Sequence, residues 1–458
     1  MSDSLCHLTI AEAARRLGRR ELSPVELTEA YLDRIAVVDP ILNTYTTVTA
    51  DRARTDARRA EREIAEGRYR GPLHGLPLGL KDMFDTAGIR TTAGSRLRRN
   101  HVPDADSTVA AALLEAGAVL LGKHATHEFA YGGTTTNPHY GPTRNPYDRS
   151  RIPGGSSGGS AASVVARTAL GSVGTDTCGS VRIPAALSGC AGLKPTFGLI
   201  DLHGVVPLAP SLDHAGPIAR TVEDLTLLFR VLLAARNPEG PPAPALESPG
   251  DLAGLRVGRL RGWFEHVIAA EVRAAVDDGV ARLAASGCLV EDVEAPDVGP
   301  VVDRIFDIVR ADAEPYHHDT FGRHPEAYGA DLRAVLSRRP PGAGELAEGR
   351  AMLDRLTGWL ATSLARADVL VCATTPAVAP PIGARSVRVG GQELHIEWML
   401  TRLTSIFDVA GLPALSVPGG LDRDGLPIGI QVVGSRLAEA TVLGVGAALQ
   451  VRLPDPAL

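Results

Sequence analysis

The stretch IPGGSSGGSAASVVARTALGSVGTDTCGSVRIPA, residues 152–185, holds two clusters of glycine and serine separated by an apolar run. Glycine is used where the backbone must take a conformation that a side chain would block. Between the clusters, SAASVVARTALG predicts a helix and SVGTD predicts the end of a strand. A flexible linker needs no ordered neighbours on both sides. The stretch therefore predicts two tight turns joined to regular elements.

Short apolar strands and helices alternate on both sides of this stretch. Before it, LPLGL predicts a strand that ends at Lys81, and a helix from Ser107 precedes the strand AVLLG. After it come a helix capped at Thr221, the unit LRVGRL–helix–LVEDVEAP, and the apolar runs VLVCATTP, PALSVPGG and PIGIQVVG. This alternation is typical of an α/β protein in which helices cover both faces of the sheet.

The composition argues against several classes of protein. The 458 residues carry a net charge of −6 without a run of basic residues, which argues against nucleic acid binding. No segment approaches the roughly 18–20 uninterrupted apolar residues of a membrane span, and the N-terminus lacks an apolar signal core. We therefore expect a cytoplasmic protein. The five cysteines are scattered, which indicates neither a disulfide framework nor a zinc site.

Lysine is rare in this chain. Lys81, Lys123 and Lys194 are its only lysines, although lysine and arginine together number 47. Arginine stays protonated in proteins, whereas a desolvated lysine can lose its proton. A lysine in this chain is therefore a candidate for a task that arginine cannot perform. All three fall between residues 81 and 194, the interval that contains both glycine- and serine-rich clusters.

Two serines of the clusters are candidate nucleophiles. GSSGG, residues 155–159, matches G-x-S-x-G around Ser157, although no motif places the Asp and His partners of such a site. Ser180 follows Asp-Thr-Cys-Gly at a strand-to-loop turn, where successive backbone N–H groups can converge on an oxyanion. A phosphate-binding loop is the weaker alternative, because neither GK[ST] nor G-x-G-x-x-G after a strand is present.

Four segments resemble, in order and spacing, the amidase signature family of serine amidohydrolases. They are GPLHGLPLGLKD, IPGGSSGGSAA, GTDTCGSVRIPAALSGCAGLKPTFG and GVVPLAPSLDHAGPIARTVED. The resemblance is strong over residues 70–230, fades between 240 and 390, and returns at FDVAGLPALSVPGG and GLPIGIQVVG. It implies a single large α/β domain over residues 1–458 with a mixed, twisted β-sheet covered by helices on both faces.

We divide this expected domain into five segments. They are N-terminal helices (1–69), the core that carries the motifs (70–236), a Pro-rich connection (237–251), a variable and mainly helical region on the substrate side (252–390), and a C-terminal return to the core (391–458). The substrate-binding walls are expected in the variable region.

The resemblance implies a Ser-Ser-Lys triad. Ser180 matches the nucleophile, Ser156 the bridging serine, which in the family follows a cis peptide bond, and Lys81 the base. The expected reaction is hydrolysis of a carboxamide to a carboxylate and ammonia or an amine through an acyl-enzyme, without metal or cofactor. The expected oxyanion hole consists of the backbone N–H groups of Thr177, Cys178, Gly179 and Ser180. The expected supporting residues are Ser157, Asp176 and Arg182.

Several alternatives stay open. Within the family, these are the A-type subunit of a glutamyl-tRNA amidotransferase, which needs partner subunits, and a hydrolase of carbamates or urea-type amides. Outside it, they are a non-catalytic binding protein on the same fold and a Ser-His-Asp hydrolase that uses Ser157. We expect a small-molecule amide as the partner and neither nucleic acid nor membrane, and we leave a homodimer open. Lys123 and Lys194 are expected to be structural, and His214 is assigned no role.

Overall fold

The computed structural model describes residues 2–246 and 250–458. Its strands, in chain order, are β1 (Tyr45–Val48), β2 (Pro77–Lys81), β3 (Val119–His124), β4 (Thr136–Asn137), β5 (Gly141–Pro142), β6 (Gly171–Asp176), β7 (Ala191–Lys194), β8 (His214–Ala219), β9 (Arg256–Leu260), β10 (Leu289–Val293), β11 (Val369–Ala373), β12 (Ser386–Val389), β13 (Gln392–His395), β14 (Ala414–Leu421) and β15 (Pro427–Gly434).

The α-helices, in chain order, are α1 (Ser2–Leu5), α2 (Ile10–Gly18), α3 (Pro24–Leu42), α4 (Ala50–Ala65), α5 (Thr108–Glu115), α6 (Gly158–Val165), α7 (Arg182–Ser188), α8 (Val222–Leu232), α9 (Trp263–His266), α10 (Ala270–Ala285), α11 (Gly299–Arg323), α12 (Ala330–Leu336), α13 (Ala343–Arg366), α14 (Ile396–Thr401), α15 (Ser405–Val409) and α16 (Glu439–Leu449). Short 3-10 turns lie at 96–98, 128–130, 233–235 and 325–327.

Within the described residues, one 11-stranded sheet organises the fold. Its strand order is β1-β3-β2-β6-β8-β7-β14-β15-β11-β9-β10. The pairs β3/β2, β2/β6, β11/β9 and β9/β10 are parallel and the remaining pairs are antiparallel. The expected fold class, a mixed sheet flanked by helices, is confirmed.

The parallel strands β3, β2 and β6 bring three polar residues to one edge of the sheet. Lys81 ends β2 and pairs with His124, the last residue of β3, while Asp176 ends β6. The carboxyl ends of parallel strands meet at the same edge, where α/β proteins place their ligand sites. Both glycine- and serine-rich turns also lie next to β6, since α6 precedes the strand and the loop Thr177–Ser180 follows it.

The helix α6 packs in the interior because its side chains are small. All eight residues, GGSAASVV, are buried. A Cβ on Gly159 would lie 2.5 Å from the backbone oxygen of Ala125, so only glycine allows this close approach. The glycines after the first turn therefore serve packing as well as turn formation.

Two helix starts follow the sequence patterns. Thr9 caps α2 in a capping box with Glu12, and Ser23 caps α3 with Pro24 at its first position. The N-terminal segment differs from the expectation in one respect: β1 lies within it and pairs antiparallel with β3. The segment YTTV is only four residues long and lacks a clear alternation of apolar and polar residues, so helical signals on both sides obscured it.

Helices occupy most of residues 252–390, the region expected to be mainly helical. Residues 252–390 contain α9 to α13 but also β9 to β12, and β9 to β11 belong to the large sheet. Of the Pro-rich connection, residues 247–249 lie outside the described part, and residues 241–246 form neither helix nor strand.

Candidate active site

Lys81 is fully buried at the end of β2. Its Nζ lies 2.8 Å from Ser156 Oγ and 2.7 Å from Thr175 Oγ1, and the Thr175 carbonyl oxygen lies 3.5 Å away. Burial lowers the pKa of Lys81 to about 7, while the charges of Asp176 and Asp213 act in the opposite direction. At neutral pH a large fraction of this lysine is therefore uncharged and able to accept a proton.

The first glycine- and serine-rich turn presents Ser156 to this amine. The Gly155–Ser156 peptide is cis. The Ser156 carbonyl accepts hydrogen bonds from Thr126 Oγ1 at 3.0 Å, Thr135 Oγ1 at 3.3 Å and His127 N at 3.3 Å. Because its backbone is held at the carbonyl, the Ser156 hydroxyl has a fixed position beside Lys81.

Ser157 has a different environment. It is fully buried, its Oγ donates to the Thr175 carbonyl at 3.1 Å, and its N–H donates to the Ser180 carbonyl at 3.2 Å. A hydroxyl committed to a strand carbonyl is a poor candidate nucleophile. Ser157 instead joins the first turn to the second, which agrees with a supporting role.

The second turn folds around the Asp176 carboxylate. Asp176 accepts hydrogen bonds from the N–H groups of Gly179 at 2.7 Å, Val181 at 3.0 Å and Arg182 at 3.3 Å. Burial by itself would raise the pKa of Asp176, but the adjacent Arg182 guanidinium holds it below its ordinary range. The carboxylate thus stays ionised and determines the path of the loop that carries Ser180.

The Arg182 guanidinium is fully buried, and all five of its N–H groups have acceptors. Nε and Nη2 donate to Asp176 at 3.0 and 2.9 Å, and Nη2 also donates to Asp408 at 2.5 Å. Nη1 donates to the Thr404 carbonyl at 3.0 Å and to Gln431 Oε1 at 2.8 Å. Arg182 therefore links the Ser180 loop to elements from the C-terminal part of the chain.

One of the four expected oxyanion donors already has an acceptor within the loop. Gly179, expected as an oxyanion donor, gives its N–H to Asp176. In the described part of the chain, the N–H groups of Thr177, Cys178 and Ser180 have no hydrogen-bond acceptor. Gly179 has φ +118°, and a Cβ there would lie 2.3 Å from Thr404 Oγ1. Gly179 is required for the turn, and three N–H groups stay available for an oxyanion.

The side chains of this loop are also held. Thr177 Oγ1 donates to Asp213 at 2.6 Å, and the Cys178 carbonyl accepts from Thr404 Oγ1 at 2.6 Å. Ser180 is 8% exposed, and Cys178 beside it is half-buried. Ser180 is thus almost completely enclosed by its surroundings.

Sequence reasoning missed Thr175, Asp213 and Thr404 at this site. Thr175 and Asp213 lie within segments that carried the resemblance, but their types indicated no specific partner. Thr404 lies in EWMLTRLTSIFD, where the sequence offered no site motif, and it reaches the loop only through the fold.

The other two lysines are buried away from Ser156. Lys123 Nζ donates to the Phe84 carbonyl, to Thr86 and to Thr91, and lies 3.9 Å from Asp82. Lys194 Nζ donates to the Pro195 carbonyl at 3.0 Å and lies 3.2 Å from His214 Nε2. Neither amine shares the contact with a serine hydroxyl that distinguishes Lys81.

Two kinds of feature are absent from residues 2–246 and 250–458. No cluster of three or more His, Cys, Asp or Glu side chains in this part of the chain is arranged to hold a metal ion. No helix there has the length and apolar character needed to cross a bilayer.

Comparison with known proteins identifies the family. The Amidase family model matches residues 26–443. The A-type subunit of the glutamyl-tRNA(Gln) amidotransferase from Thermosynechococcus vestitus is 36% identical over 97% of this chain and 98% of its own length. A solved amidase structure is 33% identical, with a TM-score of 0.90 over 98% of this chain and 100% of its own.

Another solved structure is 34% identical with a TM-score of 0.91, covering 98% of this chain and 100% of its own. It is described as part of a vestigial protein complex that reveals the evolutionary origins of an s-triazine catabolic enzyme. Fold and comparisons together define an amide-hydrolysing α/β enzyme. The chain belongs to the Amidase family, the amidase signature enzymes.

Proposed function

We propose that Ser180, Ser156 and Lys81 are the nucleophile, the proton relay and the base of an amidase that hydrolyses a small-molecule carboxamide. The observation that carries this proposal is the 2.8 Å contact between Ser156 Oγ and the Nζ of the buried Lys81. An amide carbonyl is a weak electrophile, so the serine that attacks it must lose its proton to a positioned base. A buried lysine with a pKa of about 7 meets this requirement at neutral pH.

The reaction runs through an acyl-enzyme. Ser180 Oγ attacks the carbonyl carbon while its proton passes to Ser156, whose own proton passes to neutral Lys81. The oxyanion accepts hydrogen bonds from the N–H groups of Thr177, Cys178 and Ser180. Lys81 then returns a proton through Ser156 to the leaving nitrogen as the C–N bond breaks. Water repeats the sequence on the acyl-enzyme and releases the carboxylate and free Ser180.

Thr175 gives the base its orientation. A neutral amine has one lone pair and two N–H groups. When the N–H groups are directed at the hydroxyl and carbonyl oxygens of Thr175, the lone pair is left for Ser156. The proton path from Ser156 to Lys81 therefore has a defined geometry.

A fluorophosphonate probe tests the nucleophile. We expect labelling of Ser180 in the native protein, located by peptide mass spectrometry, and turnover in a screen of aliphatic, aryl and dicarboxylic amides, anilides and carbamates. Ser180→Ala should abolish labelling, and Lys81→Ala should abolish turnover. Ser157→Ala is the matched variant, since it removes an adjacent buried hydroxyl from outside the triad. Labelling at Ser157, or near-native turnover by Lys81→Ala, would refute the assignment.

A second candidate is the A-type subunit of a glutamyl-tRNA amidotransferase. It is favoured by the Thermosynechococcus vestitus relative, which matches along nearly its whole length. This activity would require partner subunits and glutamine as the amide donor. Glutaminase activity that appears only after partner subunits co-purify would support it, whereas turnover of other amides by the isolated chain would favour the first proposal.

The substrate class and the cellular location follow the expectations from the sequence. The partner is a small-molecule amide, and the enzyme acts in the cytoplasm. Fractionation of the native host, followed by activity assays of each fraction, tests the location. Activity in a membrane or secreted fraction would contradict it.

A further inference from the structure

His214 lies directly behind the loop that carries Ser180. It is the first residue of β8 and pairs in register with Asp176, the last residue of β6. Its buried ring has Nδ1 3.2 Å from the Asp176 carbonyl oxygen and Nε2 3.2 Å from Lys194 Nζ. The triad mechanism uses neither His214 nor Lys194.

The hydrogen-bond partners determine which nitrogen of His214 carries the proton. A carbonyl oxygen can only accept, so Nδ1 must be the donor to Asp176. Burial lowers the pKa of His214 far below its ordinary value, and the Lys194 charge acts in the same direction, so the ring is neutral. Nε2 therefore has a free lone pair and accepts from Lys194.

The remaining groups around the ring leave this arrangement intact. Asp408 Oδ1 lies 3.7 Å from Nδ1, too far for a hydrogen bond. The guanidinium N–H groups of Arg182 donate their hydrogen bonds to Asp176, Asp408 and neutral acceptors. The Phe197 ring meets the imidazole edge-on at 5.3 Å between ring centres. The ring thus has one donor contact, one acceptor contact and an apolar neighbour.

The Asp176 carbonyl belongs to the same peptide unit as the Thr177 N–H. This peptide is planar and trans, so its C=O and N–H point in opposite directions. A donor that fixes the carbonyl on one side therefore fixes the N–H on the other. A hydrogen bond to the carbonyl also polarises the peptide and strengthens its N–H as a donor.

We propose that His214, itself held by Lys194, is a positioning residue that aims the Thr177 N–H at the oxyanion of the tetrahedral intermediate. The inference rests on the proposed function, because it assigns Thr177 to the oxyanion hole of Ser180. The Asp176 carboxylate orients the later part of the loop through Gly179 and Val181. His214 orients the first peptide of the loop, so each of the two groups positions a different part of it.

The test compares His214→Leu with His214→Asn. Leucine removes the donor, whereas the asparagine amide can place an N–H close to the position of Nδ1. With an amide substrate from the screen, we expect His214→Leu to lower kcat about 10- to 100-fold, less than the loss of an entire oxyanion donor. KM should change less than about threefold, because the oxyanion forms only after binding. His214→Asn should recover most of kcat.

A trifluoromethyl ketone with the same acyl group supplies a second readout. Its tetrahedral adduct with Ser180 places an oxyanion in the hole, so its affinity should fall in His214→Leu by the same factor as kcat/KM. Lys194→Met, which removes the contact to Nε2, should change both quantities in the same direction by a smaller factor. This variant keeps the inference testable if His214→Leu does not fold.

His74→Leu is the matched control. His74 is also fully buried and accepts a hydrogen bond from a backbone N–H, that of Arg70 at 3.1 Å, outside the site. It should lose stability and keep kcat. Equal activity of His214→Asn and His214→Leu, or ketone affinity unchanged in His214→Leu and Lys194→Met, would overturn the inference. The proposed function fails separately, if the wild-type enzyme is neither labelled at Ser180 nor active on any amide.

Discussion

Thr175 Oγ1 lies 2.7 Å from Lys81 Nζ, across the pair of parallel strands β2 and β6. The two residues are 94 positions apart in the chain, and both are buried. Through this contact, a side chain of β6 orients Lys81, the last residue of β2.

Thr175→Val should disturb the orientation of the base Lys81 while leaving the base itself in place. Valine has nearly the same shape but no hydroxyl, so Lys81 loses one of the groups that direct its N–H bonds. We expect kcat to fall about tenfold with KM nearly unchanged, within the range of general base catalysis. Steady-state kinetics on one amide measures this. Thr168→Val, which removes another buried hydroxyl bonded to a backbone carbonyl, should leave kcat unchanged.

The pH dependence of kcat/KM should report Lys81. Only the neutral amine can accept a proton, and burial lowers its pKa to about 7. The rate should therefore rise as the pH increases through about 7 and reach a plateau above about 8. A profile that is flat or falling between about pH 6 and 8 would exclude Lys81 as the base.

The same pKa predicts how stability varies with pH. The folded-state pKa of Lys81 lies below its ordinary value of 10.5, so between these values the unfolded chain binds a proton more readily than the folded chain. The resulting loss of stability grows as the pH falls from 10.5 to about 7 and is constant below that. The substitution Lys81→Met removes this pH-dependent loss of stability. The Tm of this variant relative to the wild type should therefore increase from pH 10 to pH 7, and a difference independent of pH would contradict the prediction.

The buried pair of Arg182 and Asp176 should contribute strongly to stability. Arg182→Met leaves the carboxylates of Asp176 and Asp408 without their guanidinium, which costs about 3–5 kcal/mol for a buried pair. Urea unfolding followed by circular dichroism measures the change. Arg259→Met is the comparison, because its partners Asp277 and Asp292 are exposed and its loss should cost less than about 1 kcal/mol. Similar losses in both variants would contradict the argument.

Cys178 should be dispensable as a side chain. In the proposed mechanism only its backbone N–H binds the oxyanion, and burial raises the pKa of its thiol well above the ordinary value, which disfavours the reactive thiolate. Cys178→Ala should keep kcat/KM within about threefold, and iodoacetamide should react slowly at pH 7. Gly179→Ala should behave differently. Its kcat/KM should fall about 100-fold or more, because the positive φ of Gly179 and the nearby Thr404 exclude a Cβ. Equal activity of the two variants would show that the loop tolerates displacement.

Local motifs predicted a large part of the site. Ser156 and Ser180 belong to short segments whose residues are neighbours in the chain, and the scarcity of lysine drew attention to Lys81. Their roles stay predictions, but the structure brings Lys81 and Ser156 together. The role of Gly179 as an oxyanion donor also stays a prediction, and its N–H already donates to the Asp176 carboxylate three residues earlier.

The contacts that hold the site could not be predicted in the same way. Thr404 reaches the Cys178 carbonyl across 226 residues, and Asp213 reaches Thr177 across 36. Threonine and aspartate are common in turns and caps, so their types alone indicate no partner. His214 was assigned no role, and its contacts with Lys194 and Asp176 could not be predicted because these residues adjoin it only through the folding of the sheet.

The sequence by itself determined most of the elements, the family and the order of the reactive residues. These follow from hydrophobic periodicity and from short motifs, which depend on residues close together in the chain. The tertiary structure decided which buried lysine lies beside a serine hydroxyl, how far burial lowers the pKa of that lysine, and which N–H groups stay available. Those properties depend on burial and on distances between strands, and a fully buried amine 2.8 Å from a hydroxyl has a chemistry that its position in the chain does not reveal.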